Sequence, residues 1–251
     1  MIDGLVSIIT PLYNARDFLD DTFNSVIQQT YQNWEWWIVD DCSTDGSFEY
    51  ISELTKENEK IHVLKVEKNG GPSKARNIAI NSANGQFIAF LDADDLWDNV
   101  FLEKQIDLLT KTGAGFAYAT CRIHSSKSET VFHVPEKVTY KDILKTNSIS
   151  CLTVVYDVKI CGKEQMPEFG KAEDYICWLQ ILKRIPYAVG NQECIATYRL
   201  VQGSRSSGKL KLIKYMWQIY RKVERLGFFS SLYYLFCWGI NGLKKYRKHK
   251  H

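Results

Sequence analysis

The chain has 251 residues, enough for one large domain or two small ones with a substantial core, and its 45% apolar and 24% charged residues exclude a disordered, collagen-like or fibrous protein. A net charge of +3 hides an asymmetry: residues 209–251 hold 11 Lys/Arg against one acid, Glu224 (about +10), and the remainder holds 21 against 28 (about −7), so body and tail are built for different partners. Seven scattered cysteines, odd in number and without a CxxC pair, exclude a zinc framework and a disulfide scaffold and predict reduced thiols in a cytosolic setting.

The N-terminus, MIDGLVSIIT, lacks the basic region and cleavage site of a secretory leader. Residues 5–10 (LVSIIT) predict a buried strand ended by Pro11, and residues 16–29 place Phe18, Leu19, Thr22, Phe23, Val26 and Ile27 at helical spacing. Residues 35–39 predict a second strand closing on Asp40-Asp41, and the run Ser43 to Ser47 can cap a helix reaching about Asn58. A third strand at 61–66, a helix opened by Pro72-Ser73 and running to about Ser82, and a fourth strand at 86–91 follow. This βαβ alternation predicts an α/β fold with a mainly parallel sheet covered by helices on both faces. Beyond it come a helix at 98–111, a strand at 115–120, a polar and weakly periodic stretch at 121–148, a strand at 150–156, a helix at 173–184, strand character at 187–199 and a loop at 202–208.

In parallel sheets ligands bind beyond the carboxyl ends of the strands. Pro11-Leu12-Tyr13-Asn14, Asp40-Asp41 and Asp92-Ala93-Asp94-Asp95 all stand at such ends, so three polar clusters far apart in sequence should converge. Three carboxylates in one turn repel unless a cation lies between them, and hard oxygen ligands suit Mn²⁺ or Mg²⁺ completed by substrate phosphates. The plainer reading makes Asp95 or Asp98 the cap of a helix starting near Leu96. Asp41 is placed to accept a hydrogen bond from a ligand N–H, Tyr13 offers a face to a flat base or else fills the core, and Ser43 and Asp45 serve either ligand or helix cap. Lys74 and Arg76, at the start of the helix opened by Pro72, can meet phosphate or base oxygens. Glu173-Asp174 alone reads as an acid pair in a first helical turn.

Taken in order, Thr10 to Asn14, Asp40 to Asp45, Gly71 to Asn77, Asp92 to Asp95, Glu173-Asp174 with Trp178-Leu179, and Tyr198-Arg199 with Ser204 to Ser207 resemble the inverting glycosyltransferases of family 2, which have the GT-A fold. The resemblance covers roughly residues 4–207 and implies a nucleotide-sugar-binding half at 1–120 and an acceptor-binding half of the same GT-A domain at 121–207, followed by a basic aromatic helical tail at 208–251. It implies that Pro11, Tyr13, Asn14, Asp41, Arg76, Asp92 and Ala93 hold the donor nucleotide, that Asp92 and Asp94 form the DxD pair on Mn²⁺ or Mg²⁺, and that Asp174 is the general base. Ser43, Asp45, Lys74, Glu173 and Arg199 are secondary candidates. The QxxRW tetrad of processive members is absent after Asp174, so the expectation is addition of one sugar, from a nucleotide-sugar donor such as a UDP-sugar, to a glycan acceptor. A non-catalytic nucleotide-sugar-binding subunit of a membrane assembly needs the same donor residues without Asp174. A nucleotidyltransferase is disfavoured, because the segment after the first strand has no Gly-rich basic loop.

In the tail, residues 209–225 carry Leu212, Tyr215, Met216, Ile219, Tyr220 and Val223 on one face, and 18 uncharged residues lie between Arg225 and Lys244. That stretch is at the lower limit for a membrane span and is diluted by Gly, Ser, Asn and Tyr. An aromatic, basic segment at an anionic leaflet fits better. A packed helix pair covering the sheet is the alternative, and the acidic body argues against nucleic acid. The expected acceptor is therefore lipid-linked, as in bacterial surface-polysaccharide assembly, with the protein peripheral at the cytoplasmic face of the membrane and in an oligomeric state the sequence leaves open.

Overall fold

The computed structural model describes residues 1–126, 128–170, 172–200 and 209–248. Ten strands, β1 (Ile2–Leu12), β2 (Trp34–Asp40), β3 (Ile61–Lys65), β4 (Gly85–Phe90), β5 (Leu96–Trp97), β6 (Phe116–His124), β7 (Glu129–Phe132), β8 (Lys137–Val138), β9 (Val155–Asp157) and β10 (Ala188–Arg199), form one sheet. The order along its main path is β3-β2-β1-β4-β9-β6-β10-β5, with β7 on β6 and β8 on β10. Pairing is parallel from β3 through β4 and again between β6 and β10, and β9 runs antiparallel between the two parallel blocks. The helices are α1 (Leu19–Ile27), α2 (Ser47–Thr55), α3 (Pro72–Ser82), α4 (Phe101–Thr112), α5 (Tyr140–Lys145), α6 (Val158–Cys161), α7 (Glu173–Leu182), α8 (Lys209–Gln218) and α9 (Phe228–Lys248).

Successive side chains of a strand point to opposite faces, and both faces are buried here. Ile8 and Ile38 pack with Leu19, Ile51 and Leu102 of α1, α2 and α4 on one face. Ile9 and Val39 pack with Ala79, Tyr175 and Trp178 of α3 and α7 on the other. That is why the strands read as unbroken apolar runs.

Several sequence expectations need correction. β1 does not stop at Pro11 but continues through Leu12, with Pro11 opposite Val39. The amide of Leu91 donates to the carbonyl of Ile9, so alternate residues from Ile9 onward turn their polar groups toward β4. β4 ends opposite Ile9, and the N–H that Pro11 lacks has no strand partner to serve. The expected strand at 150–156 is a 3₁₀ turn, Cys151–Thr153, followed by β9. Neither Asp95 nor Asp98 caps a helix at Leu96: Leu96-Trp97 pairs with β10, and α4 begins at Phe101 behind Val100. The cap residue of α2 is Gly46 in the left-handed region, not Ser43 or Asp45. The polar stretch 121–148 contains β7, β8 and α5, the last with a capping box formed by Thr139 and Asp142. The loop at 202–208, with Ser204 to Ser207, and residues 249–251 lie outside the described residues.

The tail is helical and docked. A π-helical turn, Ile219–Val223, joins α8 to the α9 region, and Met216, Ile219 and Tyr220 are buried in the core. The Tyr220 hydroxyl donates to the carbonyl of Leu144 in α5 at 2.7 Å, and Asn241 Nδ2 donates to the carbonyl of Lys145. Among the described residues no helix is long and apolar enough to cross a membrane.

Candidate active site

The three strand-end clusters do converge. Pro11, Tyr13, Asn14, Asp41, Arg76, Asp92, Ala93, Asp94, Glu173 and Asp174 all line one cleft of about 1670 Å³ at the carboxyl end of the parallel strands. Local backbone geometry marks the place: Asn14, Cys42 and Ala172, three of the four non-glycine residues with positive φ among the described residues, stand at its loops.

Asp41 is buried and ties two loops together. Its carboxylate oxygens accept the backbone N–H groups of Gly70 at 2.8 Å and Gly71 at 2.7 Å, and its carbonyl accepts from Asn69 Nδ2. Gly71, at φ 83°, is the left-handed entry to α3 that makes this approach possible. Free lone pairs remain on Asp41 for a ligand N–H. Tyr13 is 55% exposed at the mouth, so its ring face is open rather than part of the core.

Arg76, one turn into α3, is 6% exposed and pairs with Asp92 at 2.5 Å. Its Nε is buried without a hydrogen-bond partner. Asp94 faces the opposite situation. Burial and the neighbouring Asp92 charge push its carboxyl up to about 6 against the partial relief of Arg199 and Arg76. Asp95 is fully buried; burial and the charges of Asp92 and Asp94 raise it well above the carboxylate range, and its Oδ2 has no partner.

A turn whose acids are driven toward protonation and whose buried oxygen lacks a partner fits a divalent cation. Among the described residues no group of three or more His, Cys, Asp or Glu is arranged to hold a metal ion by side chains alone. Mn²⁺ and Mg²⁺ accept that arrangement, because they complete their shells with water and phosphate oxygens. Asp92 and Asp94 are the residues that would hold such an ion.

Asp174 lies in the first turn of α7, partly exposed in the cleft, with one oxygen accepting its neighbour's N–H (Tyr175) at 2.7 Å. Burial pushes its carboxyl up to about 6, with Glu173 and Asp92 adding to the rise and Arg76 opposing it. A carboxylate poised there is suited to take a proton near neutral pH.

The remaining secondary candidates do not line the cleft; they build its loops. The Ser43 hydroxyl accepts the Asn14 N–H at 2.9 Å, and Asp45 accepts the N–H groups of Arg16 and Ser47 at 3.0 Å each. Lys74 is exposed beside Gly70. Arg199 supports the Asp94–Asp95 turn from below: its Nε donates to the Asp94 carbonyl, its backbone N–H to Asp95 Oδ1 at 2.9 Å, and its Nη1 pairs with Asp21.

The cleft has a second wall that motif reading missed. Thr146, Asn147, Ile149 and Cys151 come from the loop and 3₁₀ turn before β9, and Leu212, Ile213, Trp238, Gly239 and Gly242 from α8 and α9. Burial raises the Cys151 thiol well above its usual range, which keeps it neutral and unsuited to act as a nucleophile. No spacing rule marks these positions. The hint was Gly239 and Gly242 inside an otherwise apolar helix.

A mostly parallel α/β sheet with helices on both faces and polar clusters gathered at its strand ends is the architecture of the GT-A fold. Residues 7–160 match the family described as Glycosyl transferase family 2, and the chain belongs to that family. It is 42% identical over 96% of its length to TuaG of Bacillus subtilis (strain 168), a glycosyltransferase named for teichuronic acid biosynthesis, covering 97% of that protein. It is 39% identical to WfgD of Escherichia coli, named UDP-Glc:alpha-D-GlcNAc-diphosphoundecaprenol beta-1,3-glucosyltransferase, over 98% of this chain and 96% of that one. Among solved structures, S. aureus TarS 1-349 in complex with UDP-GlcNAc superposes with a TM-score of 0.72 at 23% identity, covering 85% of this chain. This chain spans 65% of that structure's length. Mannosyltransferase PcManGT from Pyrobaculum calidifontis, in complex with GDP-Man and Mn²⁺, superposes at 0.67 with 16% identity, covering 88% of this chain and 64% of that one. At these identities the likeness is one of fold.

Proposed function

We propose that the protein transfers one sugar from a UDP-sugar to a hydroxyl of a lipid-linked glycan acceptor, with inversion, in bacterial surface-polysaccharide assembly. The observation that carries this reading is the shared cleft: Asp92 and Asp94 on one wall, Asp174 on another, and Asp41 with Tyr13 at the nucleotide end. Support for donor and acceptor comes from relatives named for UDP-Glc and for a diphosphoundecaprenol-linked GlcNAc.

In this reading Tyr13 stacks on the base and Asp41 accepts its N–H, with Pro11 and Asn14 shaping the loop. Arg76 fixes Asp92 by their ion pair, so Asp92 meets the ribose and the cation in one orientation. A bound Mn²⁺ or Mg²⁺ supplies charge neutralisation at the departing diphosphate. Asp94 holds its carboxylate toward that diphosphate, and Ala93 keeps the turn narrow between the two acids. Asp174 accepts the proton of the acceptor hydroxyl as the new glycosidic bond forms on the face opposite the leaving group. One base suffices, and no second carboxylate nucleophile is required.

The acceptor's anchor suggests where the protein works. α9 turns Phe229, Leu232, Tyr233 and Phe236 outward, between 50% and 83% exposed, in a tail that carries 11 Lys/Arg. This face suits peripheral attachment to an anionic leaflet at the cytoplasmic side. Transfer to α-GlcNAc-diphosphoundecaprenol, assayed with UDP-, GDP- and dTDP-sugars and Mn²⁺, tests the reading. A product with inverted anomeric configuration from a UDP-sugar is expected. Turnover with no donor, despite Mn²⁺-dependent UDP binding, would instead leave a nucleotide-sugar-binding subunit.

A further inference from the structure

The reaction cleft does not end at the acids. Its far wall is α9, and Gly239 and Gly242, one turn apart, line it beside Trp238. A Cβ added at either glycine would meet nothing within 4 Å, so the space over both is open. Two glycines in one helix each cost about 1 kcal/mol relative to alanine, a cost that no tight contact at these positions explains. From Gly239 an apolar row steps back along the same helix through Phe236, Leu232 and Phe229, which are 68%, 50% and 83% exposed. These steps of three, four and three residues keep one side of the helix and span roughly 15 Å. Polar chemistry lies at one end of the cleft, and an uncovered apolar track leads away from the other.

We infer that the α9 edge is the seat of the acceptor's lipid. The Gly239–Gly242 notch receives the start of a polyisoprenoid chain whose diphosphate lies in the cleft, and Phe236, Leu232 and Phe229 guide the remainder outward. The occupant is specified by three observations: Trp238, Gly239 and Gly242 of α9 line the cleft, the exposed row that steps back from Gly239 on the same side of the helix is apolar, and both belong to the strongly basic segment of a chain whose remainder is acidic, which complements an anionic diphosphate lipid. The inference rests on the lipid-linked acceptor reading above and adds where the lipid is held.

The test is a tryptophan-fluorescence titration of the full chain, saturated with UDP and Mn²⁺ so that the donor site is filled, with geranylgeranyl diphosphate and with hexyl diphosphate. The wild-type protein is expected to bind the long-chain diphosphate roughly tenfold or more tightly. Gly239→Leu and Gly242→Leu fill the notch with an apolar side chain that also favours helix, so folding is retained. Both should erase the chain-length preference, leave UDP binding in place and not lower the melting temperature. Equal binding of the two diphosphates by wild type, or a preference that survives in both variants, overturns the inference. Transfer to the undecaprenol-linked acceptor by the wild-type enzyme separates this failure from failure of the acceptor reading itself.

Discussion

Arg199, the last residue of β10, holds the backbone of Asp94 more than a hundred residues earlier in the chain: its Nε donates to the Asp94 carbonyl, and its own N–H donates to Asp95 Oδ1. The same guanidinium reaches the Phe18 carbonyl, Thr22 Oγ1 and Asp21. The acid turn is thus clamped between the start of α1 and the end of the sheet. Arg199→Ala should weaken Mn²⁺-dependent UDP binding about tenfold and lower stability by about 1–3 kcal/mol, because it strips partners from buried acceptors. Arg199→Lys restores charge without the planar fork and should recover stability more than metal affinity. Calorimetric titration and thermal melts separate the two effects.

Asp174→Asn removes the proposed base without changing shape. Transfer should fall about 10²–10⁴-fold. UDP and Mn²⁺ should bind as before, since the donor contacts proposed here come from β1, β2, α3 and the Asp92–Asp95 turn. Comparable losses of donor binding and turnover would contradict the assigned role.

The pH profile follows from the same group. A base must be ionised, and burial pushes Asp174 up to about 6. With donor and Mn²⁺ saturating, transfer should climb as pH rises through about 6 and level off above it. An unperturbed carboxyl would place the rise nearer 4. Initial rates between pH 4.5 and 8 decide the point.

Asp94 predicts a trade between stability and function. Its carboxyl is raised from 3.8 to about 6 in the folded chain, so the fold binds its proton more tightly than the unfolded chain does. That contribution is fully present below about pH 4 and is lost as pH rises through about 6. Metal-free Asp94→Asn should therefore melt a few degrees higher than wild type at pH 7.5, about 2–4 °C for on the order of 1 kcal/mol, and no higher at pH 4. Mn²⁺ with UDP should raise the wild-type melting temperature and leave the variant nearly unmoved.

The first half of the chain was readable because its signals are local. An apolar β-branched strand, a polar cluster at its end and a Pro or Gly opening the next helix recur in one short order, and α3 runs from Pro72 to Ser82 as its spacing predicts. Pro11 misled because a strand tolerates proline where its neighbour has ended, which is a property of the sheet and not of the peptide. The second wall of the cleft was illegible for a related reason. Cys151 lines the cleft only because a 3₁₀ turn interrupts a β-branched run, and Gly239 does so only because α9 folds back against α5. Glu224 shows the same limit: in sequence it is one acid in a basic tail, and in the fold it is the tail's anchor.

That anchor carries the last prediction. The Glu224 side chain is fully buried and accepts from the Tyr140 hydroxyl, while Nζ of Lys183, the residue after α7, lies 2.8 Å from its Oε2 and Gln180 Nε2 donates to its Oε1. The pair is half open on the lysine side, where 35% of the Lys183 side chain meets solvent, so its net worth is below that of a fully buried pair. Removing the acid leaves the Tyr140 phenol without its acceptor and the Lys183 ammonium with only Gln180 and solvent. Glu224→Ala should cost about 2–3 kcal/mol, concentrated in the tail, and amide exchange in α9 should rise while exchange in β1 and β4 stays slow. Glu224→Gln, which fills the same space but keeps one accepting oxygen in place of two and drops the charge, should lose somewhat less. If α9 forms the acceptor wall, Glu224→Ala should also raise KM for the lipid-linked acceptor and leave UDP affinity unchanged. Uniform loss of protection across the sheet would instead make Glu224 a determinant of the whole fold.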